Sequence, residues 1–269
     1  MKEDISWGDP NLSQKEKDYL LDAIDSGRIS HGPYVEKLEK YFKSYLDRPS
    51  VSCCNGTVAL YMAYLTLGIK PGDEVIIPAF TFASAANMAV LVGAKLVLCD
   101  IDPNTWTIDT GKLEKLISNK TKAIVCVHLF GVSCNMEKIK NICQNYKIFL
   151  IEDCAQGMFS TYNDKPLGSF GTMSTFSFQA TKNISSGEGG LISTSIFEYE
   201  RILRLWRNHG MDSEKKYYHH LPGLNARLTN LQAAIAVAQY ERRKEFISTR
   251  KELGEYYRKI LVDQSLIQI

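Results

Sequence analysis

Lys182 stands alone between the apolar run Thr175-Phe176-Ser177-Phe178 and the turn Gly187-Glu188-Gly189-Gly190. An isolated amine at the mouth of a strand suits a Schiff base with a carbonyl compound, a chemistry that needs a lysine shielded enough to shed its proton. Ser177, five residues earlier, is placed to bond a phosphate on such a compound. The plainer reading is a solvated lysine in a surface loop, and strand serines commonly satisfy nearby backbone. Three other stretches bear on the choice. Asn55-Gly56-Thr57 opens a helical run, where Gly56 permits close backbone approach and the first amides can hold a phosphate; an ordinary helix cap is the competing reading. Asp153 directly follows the apolar Ile148-Phe149-Leu150-Ile151, where a carboxylate can pair with a protonated pyridine nitrogen or merely cap a turn. Pro78-Ala79-Phe80-Thr81-Phe82 offers rings that either stack on a flat cofactor or fill the core, the default for aromatics.

A phosphate cup, an aromatic stack, a strand-end acid and a lone lysine together match one cofactor, pyridoxal 5'-phosphate (PLP). His128, after Val127, is a minor candidate for touching substrate, and Arg207-Asn208-His209-Gly210 for contacting anions. A strand-end histidine is more commonly structural, and a helix C-terminus favours Arg and His by its dipole. A P-loop pattern and a GxGxxG turn at the first strand are absent.

These residues need elements to position them. Strands are expected at Glu74–Ile77, Leu96–Leu98, Ala123–Val127, Ile148–Ile151, Thr175–Phe178 and Leu191–Thr194, with a short one before Asn55. Most are apolar on both faces, as in strands covered by helices on each side. Helices are expected at Thr57–Leu67, Phe82–Val92, Gly111–Ser118, Met136–Tyr146, Phe197–Arg207 and Leu228–Arg250. The alternation predicts an α/β fold with a mostly parallel sheet, whose ligands bind at the carboxyl ends of the strands. The polar loop Met211–Gly223, with Tyr217-Tyr218 and His219-His220, separates the last two helices, and the chain ends in Leu266-Ile267-Gln268-Ile269.

Composition bounds the function. The 269 residues are 45% hydrophobic, and Lys+Arg 32 against Asp+Glu 30 gives a net charge of +2. There is no basic block for nucleic acid, no signal-peptide pattern after Met1-Lys2-Glu3-Asp4 and no membrane-length apolar run. A cytoplasmic protein is expected. The seven cysteines lack CxxC spacing and read as reduced core thiols rather than a zinc site or disulfide framework.

The motif order resembles the DegT/DnrJ-type sugar-nucleotide aminotransferases, within the fold type I PLP enzymes. The matching stretches are Gly56–Leu60, Pro71–Ile76, Pro78–Phe82, Val97–Asp102, Val127–Gly131, Ile151–Gln156, Gly168–Gly171, Phe176–Gly190, Arg207–Gly210 and Gly223–Leu228. The resemblance implies a large PLP-binding domain with a mostly parallel seven-stranded sheet over residues 1–240, including an N-terminal helix. It implies the start of a small C-terminal domain, incomplete here, over 241–269. By the same resemblance Lys182 carries the cofactor and shuttles the proton, Asp153 meets the pyridine nitrogen, Gln156 lies near the phenolic oxygen and Phe82 stacks on the ring. Gly56, Thr57 and Ser177 hold the phosphate, and Asn225 reaches the phosphate of a neighbouring subunit in a homodimer. Dehydratase relatives carry histidine where Lys182 stands, so the lysine favours transamination. The implied partners are an amino-acid donor, glutamate above all, and a nucleotide-diphosphate 4-keto or 3-keto deoxy sugar. Family members run on well past the equivalent of Ile269. Two other readings stay open: a shortened PLP-binding remnant without turnover, and a different fold type I activity.

Overall fold

A computed structural model describes residues 8, 10–212, 215 and 217–261. In chain order the elements are α1 (Gln14–Asp25), α2 (Pro33–Leu46), β1 (Ser50–Cys53), α3 (Gly56–Thr66), β2 (Glu74–Pro78), α4 (Ser84–Leu91), β3 (Lys95–Cys99) and α5 (Leu113–Leu116). They continue with β4 (Thr121–Val127), α6 (Met136–Tyr146), β5 (Phe149–Asp153), β6 (Thr161–Tyr162), β7 (Lys165–Pro166), β8 (Met173–Ser177), β9 (Gly190–Thr194), α7 (Phe197–Arg207) and α8 (Asn230–Leu261). Seven strands form one sheet in the order β1-β9-β8-β5-β4-β2-β3. Only β9 runs antiparallel to its neighbours, which gives the mostly parallel seven-stranded sheet expected.

Period-two alternation divides the core between the two faces of this sheet. Ile76 and Ile124 join Leu38, Phe42, Ile139 and Val237, from α2, α6 and α8. Val75, Ile77 and Val125 join Leu60, Ala85 and Leu203, from α3, α4 and α7. The edge strand β3 departs from the expected two-sided burial, because Lys95 and Leu98 face solvent.

The expected strands all form, with ends moved by a residue or two. The helices differ more. The run from Phe82 becomes helical at Ser84, and Gly111–Ser118 yields a single turn, Leu113–Leu116. The last helix continues past Arg250 to Leu261. Helices α1 and α2 and the hairpin β6–β7 were not read from the pattern. Yet α1 carries a capping box: Ser13 bonds the first turn, and Glu16 takes the Ser13 amide at 2.7 Å. Parts of the expected 211–223 loop (residues 213, 214 and 216), the Met1–Asp4 start and the Leu266–Ile269 ending lie outside the described residues.

Candidate active site

Strand register assembles the candidate residues at the carboxyl edge of the parallel strands. Gly190 pairs with Cys53 on one side and Ser177 on the other, so the exits of β1 and β8 flank the entry of β9. From β1 the chain turns into α3, and the Asn55 side chain caps it by accepting from the Val58 amide at 2.8 Å. Gly56 is the first residue of α3. A Cβ there would lie 2.9 Å from Ser177 Cβ and 3.3 Å from its Oγ. A Cβ on Gly190 would meet the Asn55 carbonyl carbon and oxygen at 2.4 Å. Two glycines thus let three backbone segments close on one point, where α3's amides, the half-buried Thr57 and Ser177 Oγ converge. Helix N-termini of this kind can hold an anion.

Asp153 ends β5, level with Val127 of β4 and Thr175 of β8. It is buried, and its Oδ1 accepts from the Ala155 amide at 3.0 Å. Burial pushes its carboxyl above the ordinary range, while the Ala155 bond and the charge of Lys182 pull the other way. No lysine, arginine or histidine is within ion-pair distance of it among the described residues. A buried carboxyl without a bonded cation fits a cationic ring nitrogen. Lys182 sits on a pinned loop: Phe178 takes the Ser186 amide on its oxygen at 2.9 Å and gives its own amide to Gly189 O at 2.8 Å. Half-buried Lys182 lines a cavity of about 200 Å³ together with Gly8, Asn183, Phe246 and Arg250.

Gln156 turns its Oε1 to the Phe130 amide at 2.8 Å. Phe82 is 72% exposed and Phe80 is exposed too, so the core-packing default fails for both, and Phe82's ring is open to a flat ligand. Asn225 is exposed and pairs with Asn208 in an isolated bridge, one residue before Ala226, whose carbonyl accepts the Cys54 amide at 2.9 Å.

The two minor candidates resolve as structure. His128 is fully buried; it takes the Cys134 amide on Nδ1 at 3.3 Å, which leaves Nε2 to donate to Glu152 at 3.2 Å. Glu152 also accepts from the amides of Gly168, Phe170 and Gly171, and Arg48 holds the carbonyls of the same loop. His128, Glu152 and Cys154 bring ligand-type atoms within 4.8 Å of one another, but the histidine and the carboxylate are spent on these hydrogen bonds. Arg207 donates to Glu39 at 2.6 Å, and Glu39 also accepts from Arg204 and from Ser52. Arg207 is therefore neutralised inside the fold. A wider groove of about 1230 Å³ runs along α7 past Arg204 and Arg227, and contains none of Lys182, Asp153 or Ser177. All seven cysteines are free, and six are buried.

The helix cap, one of the two readings the sequence offered for Asn55-Gly56-Thr57, forms through the Asn55 side chain. The Glu152–His128 clamp was not read from the sequence, because its partners come together only through sheet register.

Fold and site define a class: an α/β protein with a helix N-terminus opened by glycine and a buried acid at the carboxyl ends of its strands, and a half-buried lysine on the loop after β8. The chain matches the DegT/DnrJ/EryC1/StrS aminotransferase family over residues 10–269 and belongs to that family of PLP-dependent enzymes. It is 41% identical over 255 residues to GDP-perosamine synthase of Caulobacter vibrioides, covering 94% of this chain and 69% of that protein. Among solved structures, it is similar to the PLP form of a putative sugar aminotransferase, Spr1654, of Streptococcus pneumoniae. That match has a TM-score of 0.92 and 27% identity, over 96% of this chain and 72% of the other. It is also similar to Helicobacter pylori PseC, an aminotransferase of pseudoaminic acid biosynthesis, with a TM-score of 0.93 and 28% identity, over 97% of this chain and 71% of that one.

Proposed function

We propose that the protein moves an amino group from an amino acid, glutamate in the first instance, to a 4-keto or 3-keto deoxy sugar carried on a nucleoside diphosphate. Amino sugars for surface polysaccharide are the product class. The observation that carries this reading is the convergence of Gly56, Ser177, Asp153 and Lys182 on one edge of the sheet, in a chain of this family. The relative named for GDP-perosamine synthesis and the PseC structure support a nucleotide sugar as acceptor.

Bound PLP supplies an electron sink for the pair released at the reacting carbon. The protein's own residues do the rest. The amides opening α3, with Thr57 and Ser177 Oγ, hold the phosphate. Asp153 keeps the ring nitrogen protonated, because a cation there relieves its own desolvation. Gln156 and Phe82 fix the ring's edge and face. Lys182 Nζ would bind the cofactor's carbonyl carbon and, as general acid/base, would carry the proton between the two reacting carbons. Asn225 serves the phosphate of a partner subunit, which makes the working unit a homodimer. The large domain is taken to end near residue 240, since buried positions in α8 stop at Tyr240. A cytoplasmic setting is supported by the seven free cysteines.

Addition of PLP to the purified chain is expected to produce a visible band that glutamate bleaches. Lys182→Ala is expected to abolish the band and amino transfer together. A band that survives in Lys182→Ala overturns the assignment of Lys182; a band without any transfer to nucleotide-linked keto sugars favours the non-catalytic reading.

A further inference from the structure

Three loops leave the carboxyl ends of β2, β3 and β4, and each presents an aromatic ring to solvent. Phe80 follows Pro78 of β2 and is 46% exposed. Trp106 follows β3 and is 44% exposed; Phe130 follows β4 and is 67% exposed. The rings form one cluster: Phe80 meets the Trp106 indole at 5.5 Å and 81°, and Phe130 meets it at 6.1 Å and 61°. Both Trp106 (φ 59) and Phe130 (φ 54) hold left-handed backbone, which is costly for bulky side chains and persists only where the surroundings impose it.

The surroundings do impose it. Asp102 O accepts the Trp106 amide at 2.8 Å, and the Asp102 amide donates to Thr107 O at 2.9 Å, closing the turn that aims the indole outward. Phe130 is held by its amide bond to Gln156 Oε1 at 2.8 Å. The cluster is therefore tied directly to a residue of the cofactor site and lies on the same edge of the sheet, where parallel sheets take their ligands.

We propose that Phe80, Trp106 and Phe130 form the wall that receives the nucleobase of the sugar-nucleotide substrate, Trp106 being its centre. This rests on the reading of the acceptor as a nucleotide sugar. Rings held in place lose little freedom on binding, and a base stacks on an aromatic face whatever its hydrogen-bonding edge. The wall gives affinity for the carrier nucleotide while leaving the sugar to be selected elsewhere.

The test uses the full chain loaded with PLP, titrated with GDP, with UDP and with pyrophosphate, which has no base. Trp106→Leu is expected to weaken GDP and UDP roughly tenfold or more, to leave pyrophosphate binding unchanged and to keep the Lys182 band, which also certifies folding. Trp106→Phe should recover most of the loss. Equal GDP affinity in Trp106→Leu and the parent overturns the proposal while the aminotransferase reading stands. A change of oligomeric state with unchanged nucleotide affinity also overturns it, and assigns the cluster to contact between copies of this chain. Loss of GDP and pyrophosphate binding alike overturns it too, because the residue would then act on the diphosphate or on the fold. Failure of the parent chain to form the Lys182 band instead removes the reading on which the proposal rests.

Discussion

Asp153 is the residue whose environment says most about chemistry. A carboxyl buried at the end of β5 with one backbone amide for company is held above its ordinary range by desolvation. A cation delivered by a ligand reverses that, so the site binds a pyridinium better than a neutral ring. Asp153→Asn keeps the shape and the Ala155 contact but removes the charge. Losing one charge-assisted bond of about 1.5–3 kcal/mol corresponds to a fall in amino transfer of roughly ten- to hundredfold. Stopped-flow measurement of the glutamate half-reaction checks this, with the cofactor still bound. At this scale the sequence placed the candidates on their elements: Asp153 and Ser177 end strands, Gly56 opens a helix and Lys182 follows β8. Phe82's exposure was obscured by the general rule that aromatics are buried. Its exposure follows from α4 starting two residues later than the apolar pattern suggests.

Among elements, the long-range partners were the hidden part. Helix α1 docks on α8 through two carboxylates. Glu16 accepts from Ser13, Gln239 and Arg242, and Glu241 meets Lys15, Lys37, Tyr19 and Tyr41. Burial alone would raise both carboxyls, but these bonds outweigh it and hold each at about 2, from an ordinary 4.5. A carboxyl depressed in the folded state adds stability that is complete above its unfolded value and is lost as pH falls through its folded one. The α1–α8 contact should therefore loosen between about pH 4.5 and pH 2. Hydrogen exchange at α1 amides is expected to accelerate across that window ahead of exchange in β4, whose buried residues Ala123–Val127 are apolar. Glu241→Gln should bring the acceleration to higher pH. The strands were readable because their apolar runs are self-contained. Helix α1 was not, since its polar face finds partners more than two hundred residues away.

For the whole molecule, the question of which site Asn225 serves decides how many chains make one site. Lys182 lies on the loop between β8 and β9, and Asn225 is exposed and bridges Asn208 near the groove along α7. If Asn225 completes a partner's site, two inactive variants should rescue each other. Lys182→Ala has no lysine for its own site but lends an intact Asn225. Asn225→Ala keeps Lys182 and borrows that asparagine across a two-fold interface. Random mixing after reversible dissociation puts half the dimers in the mixed form, each with one intact site. Amino transfer should then rise to about a quarter of the unsubstituted level, measured at equal total protein, with each variant alone near background. An Asn225 that acts within its own chain allows no such rescue, because every site in the mixture then lacks one of the two residues. Sequence order alone could not separate these cases, since both residues fall in stretches that resemble the family. The fold leaves both open, since Asn225 is exposed yet stands one residue from Ala226, which bonds Cys54 beside the start of α3, and the mixed dimer is what assigns the asparagine to its own site or to a partner's.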